Sequence, residues 1–186
     1  MKLQYHDCTY AKALSKETCK KIINIGLSKT LEKALIDDSE FSKLRKSDIA
    51  WLEEPWIYEK LMPYVEQANQ LAGWNFEYSD IDGIQFTKYG IGQHYNWHKD
   101  SEISFNGDYK IRKISISVNL NNEYEGGEFY IDTGNEYGKK LPIEIKDLKK
   151  IGTICVFPSD IWHKVDKITK GIRYSLVIWV KGNPWK

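Results

Sequence analysis

The chain has 186 residues, 41% of them hydrophobic, and a formal net charge of +1. That length supports one domain with a sizeable core, and the near-neutral charge excludes a global field drawing in nucleic acid or an anionic membrane. No apolar run approaches the ~18 residues needed to span a bilayer, and MKLQYHDCTYAKAL lacks the apolar centre of a signal peptide, so the expected location is cytoplasmic. Cys8, Cys19 and Cys155 are widely spaced and odd in number, which suits reduced thiols better than a disulfide frame or a zinc site. Arginine is scarce: Arg45, Arg112 and Arg173 stand among 27 basic residues. Each therefore counts as a possible fixed fork for a carboxylate.

In chain order, residues 1–14 read as an opening strand. Ser15 suits a helix N-cap, with Glu17 in the first turn where the helix dipole favours an anion. Ile22, Ile23, Ile25 and Leu27 carry that helix to about residue 28, and a second helical piece is expected over 31–36. Residues 37–47 read as a polar surface loop. Pro55 fits the first turn of a helix, and the stripe of Leu61, Tyr64, Val65 and Ala68 extends it to about residue 71. Gly73 ends it.

From there the apolar period becomes two. Strands are expected at 76–78, 84–88, 93–97, 113–120, 128–131, 143–145, 153–157 and 172–180. Short strands behind a helical front predict a mainly β, α+β domain: an antiparallel sandwich or barrel braced by helices. Eight strands is the jelly-roll number. A single domain is expected, with a helical front over 1–73 and a jelly-roll core over 76–182. In the strand at 113–120, Ile114, Ile116, Val118 and Leu120 share one face, and Ser115, Ser117 and Asn119 the other. Arg173, Ser175, Val177 and Trp179 likewise share a face. A polar face on a central strand means solvent or a lined cavity, and the pattern leaves both open.

The chemistry concentrates in two stretches. YGIGQHYNWHKD ends in the H-x-D pair His98 and Asp100, and FPSDIWHKVDKITKGIRYS offers His163 with Arg173 ten residues on. Two imidazoles and one carboxylate are the ligands of a non-haem Fe(II) facial triad, which leaves metal positions open. Alone, H-x-D is weak, and His98 also reads as an ordinary hydrogen-bonded histidine; the conjunction with His163 and Arg173 carries the reading. His94 and His98 are spaced as in a helical zinc motif, but Tyr95 stands where the metalloprotease form needs Glu. Tyr95 and Trp97 either border a substrate channel or pack in the core. Trp51, Trp56 and Trp74 read as core. Residues 139–150 read as a solvated basic loop, and 101–109 as a flap or a plain loop.

These residues, within QFTKYGIGQHYNWHKD, EGGEFYI, FPSDIWHKV and KGIRYSLVIWV, resemble the prolyl 4-hydroxylase-like branch of the Fe(II)/2-oxoglutarate oxygenases, bacterial and phage type. The likeness covers most of the chain, including ALSKETCKKII and SDIAWL at the front, and is strongest over 84–180. The resemblance implies a double-stranded β-helix (jelly roll) in which His98, Asp100 and His163 hold iron. It makes Arg173 the clamp for the distal carboxylate of 2-oxoglutarate, aided by Ser175, with Tyr89 in the cosubstrate pocket and Trp179 lining the substrate pocket. Asn119 stands where related hydroxylases carry a tyrosine, so its cofactor-binding role rests on an amide donor instead. The implied cofactors are Fe(II), 2-oxoglutarate and O2, with ascorbate an optional accessory. The implied reaction hydroxylates a prolyl residue in a protein or peptide, releasing succinate and CO2. A free amino acid such as proline is the nearer rival substrate, and a non-catalytic jelly-roll binding module the rival from another class. No nucleic-acid or membrane partner is expected.

Overall fold

The computed structural model describes residues 5–34, 44–101, 109–134 and 141–184. In chain order the elements are β1 (Cys8–Tyr10), α1 (Lys16–Ser28), β2 (Glu32–Lys33), β3 (Arg45–Lys46), β4 (Asp48–Leu52), α2 (Pro55–Leu71), β5 (Asp80–Ile81) and β6 (Ile84–Tyr89). They continue with β7 (His94–His98), β8 (Ile111–Asn119), β9 (Tyr124–Gly126), β10 (Phe129–Asp132), β11 (Pro142–Glu144), β12 (Ile154–Pro158), β13 (Trp162–Val165), β14 (Ile168–Gly171) and β15 (Arg173–Gly182). Ser15 caps α1 by accepting the Thr18 N–H, and Pro55 opens α2 where its missing N–H is not needed.

The strands form a major sheet, ordered β1-β12-β8-β15-β6-β4-β2 with β5 beside β15, and a minor sheet, β11-β10-β13-β7-β3. A third pair joins β14 to β9. Every pairing is antiparallel. This is the mainly β, helix-braced jelly roll that the strand pattern predicts.

The major sheet turns its apolar face to the helices. Ile114, Ile116, Val118 and Leu120 of the β8 segment join Ile22 of α1 and Ile57, Leu61, Val65 and Ala68 of α2 in the main core. The α2 residues recur at helical spacing and so make one stripe. Ser115, Ser117 and Asn119 consequently face the interior between the sheets and are all buried. Solvent exposure, one of the two readings of that polar face, is excluded.

Other expectations are corrected. Residues 32–33 pair with β4 as a strand rather than a helix; residues 35–36 lie outside the described residues. The polar 37–47 segment is not all loop, because Arg45 and Lys46 pair with Tyr95 and His94 at the edge of β7; residues 37–43 lie outside the description. Residues 76–78 form no strand. The Phe76 N–H and C=O instead bond to the Asn69 side chain of α2, which satisfies that backbone without a ladder. Trp74 is buried and donates to the Tyr5 carbonyl. Trp56 is half-buried beneath the Lys21 ammonium. Trp51 is 47% exposed, since Ala50 and Leu52 take the core face of β4. The segment read as a flap or a plain loop falls mostly on 102–108, and the first part of the basic run on 139–140, outside the described residues.

α1 reaches the sheet at Gly26, where a Cβ would overlap the Phe86 ring. That ring is fully buried and stacks on Tyr174 at 5.8 Å, so it has no room to yield. Gly26→Ala gains about 1 kcal/mol in helix propensity, against an overpacking penalty of about 1–3 kcal/mol. A net loss of stability is expected, read as a lower urea midpoint at unchanged slope. A raised midpoint would refute the close approach.

Candidate active site

The site is built on the pairing of β7 with β13, which sets His98 directly opposite His163. The register then shifts, so that Val165 faces Tyr95 and two residues of β7, Asn96 and Trp97, stand opposite one of β13, Lys164. Such a bulge changes the phase of a strand. Tyr95 and His98 therefore share the inner face, their rings stacked at 3.4 Å and 10°. Tyr95 and Trp97 were expected either to border a substrate channel or to pack in the core; the bulge separates them, and Trp97 lies under the Lys164 ammonium, away from the cleft.

Asp100 follows β7 and is fixed by its backbone. The N–H groups of Asp100 and Ser101 both donate to the Ser159 carbonyl, at 2.8 and 2.9 Å. From the major sheet the Ser115 hydroxyl donates to Asp100 Oδ2 at 2.8 Å. With its proton so used, Ser115 accepts from the Ser159 hydroxyl at 2.8 Å. The carboxylate is thus oriented from both sheets.

His98, Asp100 and His163 are buried, with one ligand atom from each lying within 4.8 Å of the others. His98 Nδ1 stands 2.7 Å from the Asn96 carbonyl and His163 Nδ1 2.9 Å from the Ile161 carbonyl. A carbonyl can only accept, so each Nδ1 carries the proton and each Nε2 presents a lone pair. Those Nε2 atoms lie 3.5 and 3.4 Å from the two Asp100 oxygens. Three acceptors converging with their protons elsewhere fit a divalent cation, and two imidazoles with one carboxylate fit Fe(II). Burial lowers the His98 pKa, against the pull of Asp100, and favours the neutral, ligating form. Burial acts to raise the Asp100 carboxyl, but any proton taken up at the facing Nε2 of His163 or His98 holds it well below the usual carboxylate range.

These residues open on a cleft between the two sheets. Tyr89, Tyr95, Arg173, Ser175 and Trp179 all line it. Arg173 is 2% exposed; its Nη1 donates to Ser175 Oγ at 3.2 Å, while its Nε has no acceptor among the described residues. Tyr89 pairs with Arg173 across β6 and β15, its ring 5.5 Å from the guanidinium. A buried guanidinium with an unused donor beside a hydroxyl fits an incoming carboxylate.

Asn119 departs from expectation. Its amide donates to the carbonyls of Asn121 and Lys149 and accepts from the Tyr124 hydroxyl, and it does not line the cleft. Both amide protons are spent on backbone, so its role is to hold Tyr124 and the turn after β8. Sequence reasoning missed Ser115 and Ser159 as supports of Asp100, and Arg45, Gln85, Phe129 and Phe157 as lining. The alternating serines of β8 were the one available signal.

Ser115→Ala leaves Asp100 Oδ2 without its donor from the major sheet. Loss of such an outer partner lowers metal affinity about 10–100-fold. Calorimetric titration with Mn(II) is expected to show that drop in a folded variant, and His163→Ala a larger one. Wild-type affinity in Ser115→Ala would mean that the Ser159 contacts alone position the carboxylate.

A sequence model of the 2OG-Fe(II) oxygenase superfamily matches residues 84–181. A PKHD-type hydroxylase of Thermosynechococcus vestitus is 33% identical over 134 residues, 69% of this chain and 56% of that protein. A PKHD-type hydroxylase of a Picosynechococcus is 31% identical over 116 residues, covering 62% and 49%. The chain thus spans about half the length of these relatives. Among solved structures, the viral collagen prolyl hydroxylase of Paramecium Bursaria Chlorella virus-1, in complex with 2OG, superposes with a TM-score of 0.68 at 18% identity over 96% of this chain and 97% of that one. A Pseudomonas putida prolyl-4-hydroxylase gives 0.69 at 20% identity over 95% and 92%. At those identities the likeness establishes the fold, a double-stranded β-helix. The sequence match runs from the start of β6 through nearly all of β15, more than half of the chain and both walls of the cleft: the chain belongs to the 2OG-Fe(II) oxygenase superfamily.

Proposed function

We propose that this chain is an Fe(II)- and 2-oxoglutarate-dependent dioxygenase that hydroxylates a prolyl residue in a protein or peptide. The observation that carries the reading is one cleft holding both the convergent His98, Asp100 and His163 and the buried Arg173 with its unused Nε. His98, Asp100 and His163 would hold the iron. Bound there with 2-oxoglutarate and O2, it supplies oxidation of an unactivated C–H bond as 2-oxoglutarate leaves as succinate and CO2.

The protein's part is binding, orientation and exclusion of water. Arg173 and Ser175 take the distal carboxylate, a charge-assisted contact worth about 1.5–3 kcal/mol. Tyr89 walls that end of the cleft. Phe129, Phe157, Val165 and Val177 line it with apolar surface and keep the reacting carbon dry. At the other end of the β15 face stands Trp179, its indole Nε1 buried with no acceptor among the described residues. Arg112 covers its ring at 3.9 Å, and the exposed Trp51 lies 6.3 Å away. An unused donor beside an exposed aromatic suits a peptide, which brings carbonyl acceptors and an apolar ring. The prolyl substrate is further supported by the names of the fold neighbours, prolyl hydroxylases among them.

Anaerobic titration of 2-oxoglutarate into the Fe(II)-loaded protein is expected to raise a saturable visible charge-transfer band. Arg173→Ala should raise the half-saturating concentration about 10–100-fold, and His98→Ala should abolish the band. Proline-containing peptides should then gain the mass of one oxygen on the ring. No band from folded, iron-competent protein would sink the oxygenase reading and favour a binding module. A normal band with no prolyl product would sink the substrate assignment alone.

A further inference from the structure

Arg45 lies in a segment whose polarity reads as surface loop, yet it is 9% exposed and lines the cleft with His98, Asp100 and His163. Pairing of β3 with β7 places it opposite Tyr95, with its guanidinium 4.6 Å above the Tyr95 ring. That ring stacks in turn on His98 at 3.4 Å. Arg45 therefore sits one aromatic layer from a candidate metal ligand.

Its charge has no counter-ion in view. Nε donates to Ser47 Oγ at 2.9 Å, which uses one of five N–H donors. Among the described residues no carboxylate pairs with it. Asp100, the buried carboxylate of the same cleft, is occupied by Ser115, His98 and His163. A buried guanidinium cannot shed its proton to escape the lack of a partner, and a buried charge left unpaired is strongly disfavoured. A ligand carboxylate supplies both the charge and a matching bidentate geometry.

2-Oxoglutarate does not account for it. On the function proposed above, one of its carboxylates goes to the metal and the other to Arg173 and Ser175 on β15. Arg45 stands on the opposite wall, at the edge of the minor sheet beyond β7. A third carboxylate is needed. We propose that Arg45 binds a carboxylate of the primary substrate, so that the substrate carries this group close to the carbon that is hydroxylated. The inference rests on the hydroxylase reading and narrows its substrate class. The carboxylate comes either from a free or C-terminal α-carboxyl group or from an acidic side chain beside the prolyl residue.

Matched probes test it on protein loaded with Mn(II), which is inert to turnover, and 2-oxoglutarate. The pairs are L-proline and L-prolinamide, acetyl-glycyl-proline and its amide, and acetyl-aspartyl-prolyl-glycinamide and its asparaginyl analogue. Calorimetry should show the carboxylate member of at least one pair binding about tenfold or more tightly, and that pair identifies the source. The preference should vanish in Arg45→Gln and partly return in Arg45→Lys. Retention of the 2-oxoglutarate band in the Fe(II)-loaded variants shows that they are folded. Equal binding within every pair, no binding of any carboxylate probe, or a preference that survives Arg45→Gln would overturn the proposal. So would a fall in 2-oxoglutarate affinity that accounts for the whole loss, since Arg45 would then be a cosubstrate contact. The Fe(II) enzyme separates this failure from that of the hydroxylase reading. Equal oxidation of blocked and carboxylate-bearing prolyl probes removes the role of Arg45 and leaves the prolyl substrate standing. Arg45-dependent binding without any gain of oxygen does the reverse.

Discussion

The register between β7 and β13 is the constraint on which the site depends. Side chains alternate across a strand, so a slip of one residue would turn His98 away from His163 and toward the outer face. The bulge beside this pair brings Tyr95 onto the inner face, where it stacks on His98. Asp100 is then placed by two N–H bonds to one carbonyl and by a hydroxyl from the other sheet. Backbone ladders, carbonyl acceptors and a serine relay thus aim the three donor atoms at one point.

A second constraint is the polarity of the major sheet. In a simple two-sheet sandwich the inner faces are the core. Here much of the apolar surface of β8 and β15 goes to the helices, and the inner face carries Ser115, Ser117, Arg173 and Ser175. A smaller apolar cluster of Phe129, Ile131, Phe157 and Val165 fills the space between the sheets beside the cleft. The helices are therefore more than a brace. By taking the apolar face, they free the interior to be a polar, enclosed chamber, and the Gly26–Phe86 contact draws one of them close against the sheet.

Much of this was legible in the sequence. The N-cap at Ser15 and the helix start at Pro55 follow from local chemistry, and the alternation of β8 and β15 follows from the pleat. His98, His163 and Arg173 could be named because histidine and arginine are scarce in this chain, and Asp100 because it stands two residues from His98. What stayed hidden depends on partners distant in sequence. Arg45 looks like one more charge in a polar run until β7 draws it inward. Ser115 looks like half of an ordinary solvent-facing alternation until Asp100 reaches it. Phe76 has strand-like neighbours, but an asparagine from α2 takes its backbone bonds. Trp97 and Asn119 lie off the cleft for the complementary reason: a bulge turns one away and a set of backbone acceptors engages the other.

The donor set joins segments far apart in the chain, with two members on the β7 side and one on β13. Any cation held there is a cross-link between strands as well as a reagent, and its binding free energy adds to that of folding in proportion to the logarithm of free metal. Occupancy of this site and stability of the fold are therefore linked: whatever free energy the donor set gains from a cation also holds the β7 and β13 segments together.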